Sequence, residues 1–249
     1  MNKIDIVLDR DLLEHGIRFY RHLNLDTPSW MFFGESGSGK SVLTKSVIGR
    51  IALKHSKTNN NRGFQVTICD GKADDYRFLR GIPNARFFEG LSTAKGVDFY
   101  YKQFEERRND IDTSRDFRLL VAEEWSTFLT EIEIDDKKKY KECFSNMFAL
   151  TSQGRSFNMH VLLSVQRPDS TFMTGFRENL TTVIGLGKYI SPEAAKMAGF
   201  NNFKEFSNAG GGKSQGYMRS EDGFFRIQVP KITNFDYLHE KIIEAVTCK

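Results

Sequence analysis

Trp30-Met31-Phe32-Phe33-Gly34-Glu35-Ser36-Gly37-Ser38-Gly39-Lys40-Ser41 is the stretch on which the reading of the whole chain turns. Its second part has the form G-x-x-x-x-G-K-[ST]. An apolar run precedes it and a helix-like run, Ser41 to Lys54, follows. A phosphate-binding loop requires that context of strand before and helix after. Gly34, Gly37 and Gly39 let the backbone turn tightly, so that successive N–H groups face one concavity able to hold phosphate oxygens. The helix behind them adds partial positive charge at its N-terminus. Lys40 can reach the β- and γ-phosphates, and the Ser41 hydroxyl can sit on Mg²⁺. Gly34, Glu35, Ser36, Gly37, Ser38, Gly39, Lys40 and Ser41 are therefore the expected loop for a nucleoside triphosphate. The competing reading is a chance match in a Gly/Ser turn, and the flanking strand and helix argue against it.

Working outward, Phe117-Arg118-Leu119-Leu120-Val121-Ala122-Glu123-Glu124 is the second informative stretch, an apolar strand ending in two acids. In a triphosphate hydrolase the first acid at such a strand end holds the metal's water and the second polarises the attacking water. Glu123 is the expected metal-side acid, with Ser41, and Glu124 the expected base. Asp is usual where Glu123 stands. A strand running into an acidic helix start gives the same pattern for structural reasons.

Phe64 to Cys69 reads as a strand ending in Asp70-Gly71-Lys72, and such ends lie near the ligand crevice of a parallel sheet. Asp70 and Lys72 are edge-of-site candidates. Val161 to Val165 is another strand, and the Gln166 amide at its end is placed to sense a γ-phosphate. Ala73 to Arg80 reads as a short helix and Leu91 to Asn109 as a longer one, with Val97, Tyr100, Tyr101 and Phe104 at core spacing. Glu105-Glu106-Arg107-Arg108 reads as a solvated face. Ser191 caps a helix with Pro192 in its first turn. Glu221-Asp222-Gly223 joins two strands as a hairpin, and Phe235 to Val246 is a closing helix.

Ile4, Ile6 and Leu8 alternate as a short strand would, and Leu12 to Leu25 reads as a helix or an irregular arm. Residues 1–28 are the expected lead-in to a domain spanning 29–249. Ser56 to Arg62 and Asn208 to Ser214 read as surface loops. The latter lacks the spacing of a second phosphate loop. The order of elements predicts an α/β fold, a mostly parallel sheet flanked by helices with an antiparallel hairpin near the C-terminus.

With 249 residues, of which 39% are hydrophobic and 27% charged, the chain has the composition of a globular domain. The net charge of +4 accommodates a polyanionic partner without specifying one. Cys69, Cys143 and Cys248 are odd in number and far apart, which suits no disulfide framework and a reducing, cytoplasmic setting. The N-terminus has no continuous apolar core, and no window approaches about 18 consecutive apolar residues. Direct membrane insertion is not expected.

Several blocks in order resemble the motor domain of the FtsK/SpoIIIE DNA translocases, within the FtsK–HerA group of P-loop (RecA-like) ATPases. They are Gly34 to Ser41, Cys69 to Lys72 with Gly81-Ile82-Pro83, Phe104 to Arg108, Leu119 to Glu124, Gly154 to Val161, Ser164 to Pro168, and Thr174-Gly175 with Arg177 to Leu180. Together they span about residues 29 to 230. The resemblance implies ATP and Mg²⁺ as cofactors, Lys40, Glu123, Glu124 and Gln166 as catalytic groups, and Arg155 as an arginine supplied to a neighbouring subunit's ATP. It implies a homohexameric ring around double-stranded DNA gripped at its phosphates. Glu123 in place of Asp and Gly71 in place of Pro depart from the pattern, and nothing in the sequence matches the winged-helix domain of chromosome translocases. The expected setting is a compact motor of a plasmid, phage or mobile element, working with a replication, relaxase or membrane partner protein. Packaging of a viral genome, single-strand transfer and an ATP-dependent adaptor without processive motion remain as rival readings. A small-molecule kinase is disfavoured by the absence of an arginine-rich lid segment.

Overall fold

The computed structural model describes residues 2–57, 64–169, 173, 175–201 and 212–248. The expected loops at Ser56 to Arg62 and Asn208 to Ser214 lie partly outside these residues, as does Thr174.

β3 (Ser29–Gly34) is buried along its whole length. It lies inside a sheet covered on both faces, which is why its sequence is a continuous apolar run rather than an alternating one. Its neighbours are β7 (Met159–Val165) and β8 (Thr182–Leu186), both parallel to it. Beyond β7 come β6 (Phe117–Glu123), β4 (Phe64–Asp70) and β5 (Phe87–Glu89), again parallel. Beyond β8 the sheet turns antiparallel through β9 (Gln215–Ser220) and β10 (Gly223–Gln228), then β1 (Lys3–Asp9) and β2 (Tyr20–Asn24). Among the described residues this is one ten-stranded sheet in the order β2-β1-β10-β9-β8-β3-β7-β6-β4-β5.

Alternate side chains of the central strands feed two cores. Met31, Phe33, Leu120, Ala122, Val161 and Leu163 face one layer, which contains α3 (Thr93–Arg108), α4 (Trp125–Asp135) and α5 (Lys137–Gln153). Trp30, Phe32, Leu119, Val121 and Leu162 face the other, which contains α2 (Lys40–Lys57) and α7 (Phe235–Thr247). A short α1 (Arg10–Glu14) and α6 (Pro192–Met197) complete the helices used below. Ser191 caps α6 as expected, its hydroxyl accepting from the Ala194 amide.

Three local expectations are corrected. Leu12 to Leu25 is neither a long helix nor an arm. Asp9 caps the five-residue α1, Gly16 turns the chain at φ 77°, and β2 then pairs back onto β1. Residues 3–24 thus contribute two strands to the common sheet. Ala73 to Arg80 contains only a single 3₁₀ turn, Arg77–Leu79. The Asp70 carboxylate accepts from the backbone amides of Lys72, Ala73, Asp74, Asp75 and Tyr76, and so holds the segment as a loop. Arg107 is not on a solvated face but fully buried. Its guanidinium pairs with Asp112 and Asp116 and donates to the carbonyl oxygens of Asp116 and Phe157.

Candidate nucleotide-binding site

The phosphate loop leaves the C-terminal end of β3 and runs into α2 at Lys40. This is the edge of the sheet where parallel α/β folds bind ligands. Gly39 adopts φ 100°, and a Cβ there would lie 2.8 Å from the Ser214 hydroxyl, so both the conformation and the space demand glycine. Ser214 belongs to the last part of the expected surface loop. Its amide donates to the Ser38 carbonyl at 2.9 Å, so that part is packed on the phosphate loop.

Strands β4 and β6 bring the acids to the same edge. Asp70 and Glu123 are register partners at their ends. Both are buried, and burial pushes both carboxyls above the ordinary range; backbone hydrogen bonds oppose this at Asp70, and the Lys40 charge opposes it at Glu123. The Tyr76 hydroxyl donates to Glu123 Oε1 at 3.2 Å. Glu124, between β6 and α4, sits in the left-handed region at φ 52°. That conformation costs a non-glycine residue about 1–2 kcal/mol. It also delivers the carboxylate to the loop, where Lys40 Nζ lies 2.6 Å from Glu124 Oε1 with both side chains buried.

Gly71, where the resembled family carries proline, is accounted for by the same corner. Its amide donates to the Glu123 carbonyl at 3.0 Å, a bond proline cannot make. A Cβ at this position would stand 2.9 Å from Phe128 and 3.0 Å from the Glu124 carbonyl.

Ser38 Oγ, Glu123 Oε2 and Glu124 Oε2 are buried without a hydrogen-bond partner among the described residues. Buried polar atoms are normally satisfied. Their concentration around the loop suits a site completed by a bound polar group. A loop-type Mg²⁺ site takes one hydroxyl and the nucleotide's own oxygens rather than a protein cage. The residues fit that group: Ser41 offers its hydroxyl on the first turn of α2. Among the described residues no cluster of three or more His, Cys, Asp or Glu forms a self-sufficient metal cage.

Gln166 follows β7 and is exposed; it lines a crevice with Gly34, Glu35, Arg167, Tyr189 and Ile190. Lys72 is exposed on the loop that Asp70 shapes. Arg155 is elsewhere. It is exposed on the short 3₁₀ turn Gly154–Phe157, ahead of β7, at the opposite end of the sheet from the phosphate loop. The seven residues of β7 at about 3.3 Å each set the two ends roughly 20 Å apart. Asp75 joins the site without having been singled out by the sequence. Its Oδ2 accepts from the Ser41 hydroxyl at 2.9 Å, and its Oδ1 is 4.0 Å from Lys45 Nζ. The only sequence signal for it is its position, in an acidic pair just past a strand end.

The fold is shared with P-loop ATPases of conjugation, secretion and genome-packaging systems. Among solved structures, the pCW3 conjugation coupling protein TcpA with ATPγS superposes with a TM-score of 0.70 at 15% identity, over 98% of this chain and 70% of that one. The cytoplasmic domain of the Thermomonospora curvata type VII secretion ATPase EccC gives 0.65 at 19% identity, over 98% of this chain and 31% of that one. The genome packaging NTPase B204 of Sulfolobus turreted icosahedral virus 2, in complex with ATPγS, gives 0.52 at 12% identity, over 83% of this chain and 99% of that one. The chain therefore spans less than a third of the EccC cytoplasmic-domain chain and 70% of the TcpA chain. No protein-family model matches the sequence, and no curated protein matches it. Among the described residues, no helix is long and apolar enough to cross a membrane.

Proposed function

We propose that this chain is an ATP-hydrolysing motor that pumps double-stranded DNA through a homohexameric ring. ATP and Mg²⁺ would lie at the subunit interfaces, in the service of a plasmid, phage or mobile element. One observation carries the reading: the loop and acids occupy one end of the parallel sheet, and Arg155 stands exposed at the other. An arginine so placed cannot serve its own loop, but a head-to-tail ring brings that end of one subunit to the loop of the next.

In this mechanism Gly34 to Ser41 cradle the phosphates and Ser41 holds the metal. Mg²⁺, if held there, would supply positive charge against the triphosphate. Lys40 exchanges Glu124 for a phosphate oxygen, which frees the Glu124 carboxylate to orient water. Glu123 stands on the metal side, Gln166 senses the γ-phosphate from the crevice, and Arg155 of a neighbour stabilises the charge that develops in the transition state. DNA would be held at its phosphates, without base reading, by exposed basic groups. The cytoplasm is the setting in which such a motor meets DNA, together with a replication, relaxase or membrane partner protein.

The test is the rate of ATP hydrolysis against double-stranded DNA, single-stranded DNA and no DNA, with the mass of the assembly measured in ATP. Stimulation by duplex DNA in a ring supports the reading. DNA-independent turnover by a monomer contradicts it. A second reading, an ATP-dependent coupling module that recruits a nucleoprotein without processive motion, is favoured by the likeness to a conjugation coupling protein. Hydrolysis without movement along DNA in a single-molecule assay would select it.

A further inference from the structure

We propose that Asp75 is the positioning residue for the metal-holding hydroxyl of Ser41, a role distinct from that of Glu123, the acid expected to hold the metal's water. The proposal rests on the nucleotide reading of the loop. A serine hydroxyl has one proton and two lone pairs. When a lone pair is given to a cation, the proton must point at some other acceptor. Asp75 Oδ2 is that acceptor, 2.9 Å from Ser41 Oγ. With the proton so directed, the lone pairs are left for the metal.

Asp75 is itself held on two sides. Its amide donates to Asp70 Oδ2 at 2.9 Å, its other oxygen faces Lys45 one turn further along α2, and Lys45 in turn lies over the Tyr76 ring at 5.1 Å. The loop after β4 thus divides its work. Asp75 reaches Ser41, while the next residue, Tyr76, reaches Glu123 Oε1. Glu123 bonds that tyrosine, has the Ser164 hydroxyl acting on its carboxylate as well, and makes no hydrogen bond with Ser41 among the described residues. Asp75 retains 27% side-chain exposure and so keeps solvent to support its charge, whereas Glu123 is 1% exposed. Asp70 gives the loop the rigidity that such positioning demands, because its carboxylate gathers the five amides that would otherwise start a helix. Partners of this outer kind orient metal ligands, and their loss costs about 10–100-fold in metal affinity.

The experiment measures binding of a fluorescent, non-hydrolysable ATP analogue to the full chain, with Mg²⁺ and with chelator. The readout is the ratio of the two affinities. In Asp75→Ala the ratio should fall about 10–100-fold towards the value for Ser41→Ala. Asp75→Asn keeps an acceptor oxygen and should retain most of the ratio, though a charged acceptor binds the hydroxyl more strongly. A general structural defect lowers both affinities together and leaves the ratio in place, and that result would overturn the proposal. So would a ratio that falls in Glu123→Gln and not in Asp75→Ala. If the unaltered chain binds no nucleotide under either condition, the nucleotide reading fails and the proposal falls with it.

Discussion

The two ends of the parallel sheet treat buried charge in opposite ways. At the loop end, Lys40 and Glu124 meet in a single contact, and three buried oxygens around them have no partner among the described residues. At the other end, the buried Arg107 is surrounded. Its Nε reaches Asp112, its Nη1 donates to the carbonyls of Asp116 and Phe157, and its Nη2 reaches Ser114 and Asp116. Arg118 adds bonds to Asp112 and Asp116. Against the pull of partial burial, the hydrogen bonds from Ser114, and after them those from Arg107 and the Arg118 charge, hold the Asp112 carboxyl well below the usual range. A saturated buried charge holds a scaffold in place, whereas an under-satisfied one beside a strained backbone suits a site completed on binding. The saturated end is also the end that presents Arg155. Arg107 bonds the Phe157 carbonyl, and the Asn158 side chain bonds the Arg115 carbonyl at 2.7 Å, so the turn bearing Arg155 is pinned from two directions.

Substitution separates the two ends. The largest expected effect is at the loop end. Glu124→Gln should lower the hydrolysis rate about 10²–10⁴-fold, the contribution of a positioned base, while ATP binding persists. Steady-state turnover together with nucleotide binding measures this, and hydrolysis near the unaltered rate would remove Glu124 from its role. At the scaffold end, Arg107→Ala should cost about 3–5 kcal/mol of stability, because Asp116 and the Phe157 carbonyl lose a buried partner. Urea unfolding reads that directly; a loss under about 1 kcal/mol, the range of an exposed pair, would mean that the cluster is not the anchor described.

A smaller effect comes from His160, also near the scaffold end. It is stacked between Trp30 and Phe117, with Nδ1 2.9 Å from the Thr27 carbonyl, and burial lowers its pKa to about 4. The unfolded chain then binds more protons than the folded one between about pH 4 and about 6.5. The stabilisation from a neutral His160 is complete above that window and is lost as pH falls through it, by up to about 3 kcal/mol. A pH series of unfolding curves checks the slope, and a flat profile across the window would contradict it.

The sequence is most legible where physics is local. The loop from Gly34 to Ser41, the apolar strands and the order of helices follow from spacing and periodicity. So do the acids at Glu123 and Glu124, because a buried parallel strand leaves polar residues only at its ends. What escapes depends on contacts distant in the chain or on side chains that capture backbone. Arg107 sits among charges and reads as solvated, since its partners lie in a loop beyond the helix and in the turn before β7. Asp75 is hidden because the helix expected there is replaced by amides gathered on Asp70. β2 is hidden because Tyr20 to Asn24 is a polar edge strand whose only fully buried side chain is Leu23.

In the proposed motor, one ATP site is assembled from two subunits. The direct test mixes two inactive variants, Lys40→Ala, which lacks the loop lysine but keeps Arg155, and Arg155→Ala, which keeps the loop but lacks the arginine. Each alone should hydrolyse ATP at a small fraction of the unaltered rate, since a trans arginine contributes about 10³–10⁵-fold. In an equal mixture about a quarter of the interfaces join an intact loop to an intact Arg155, and DNA-stimulated hydrolysis should return in that proportion. No recovery on mixing, with the variants shown to co-assemble, would contradict the shared site.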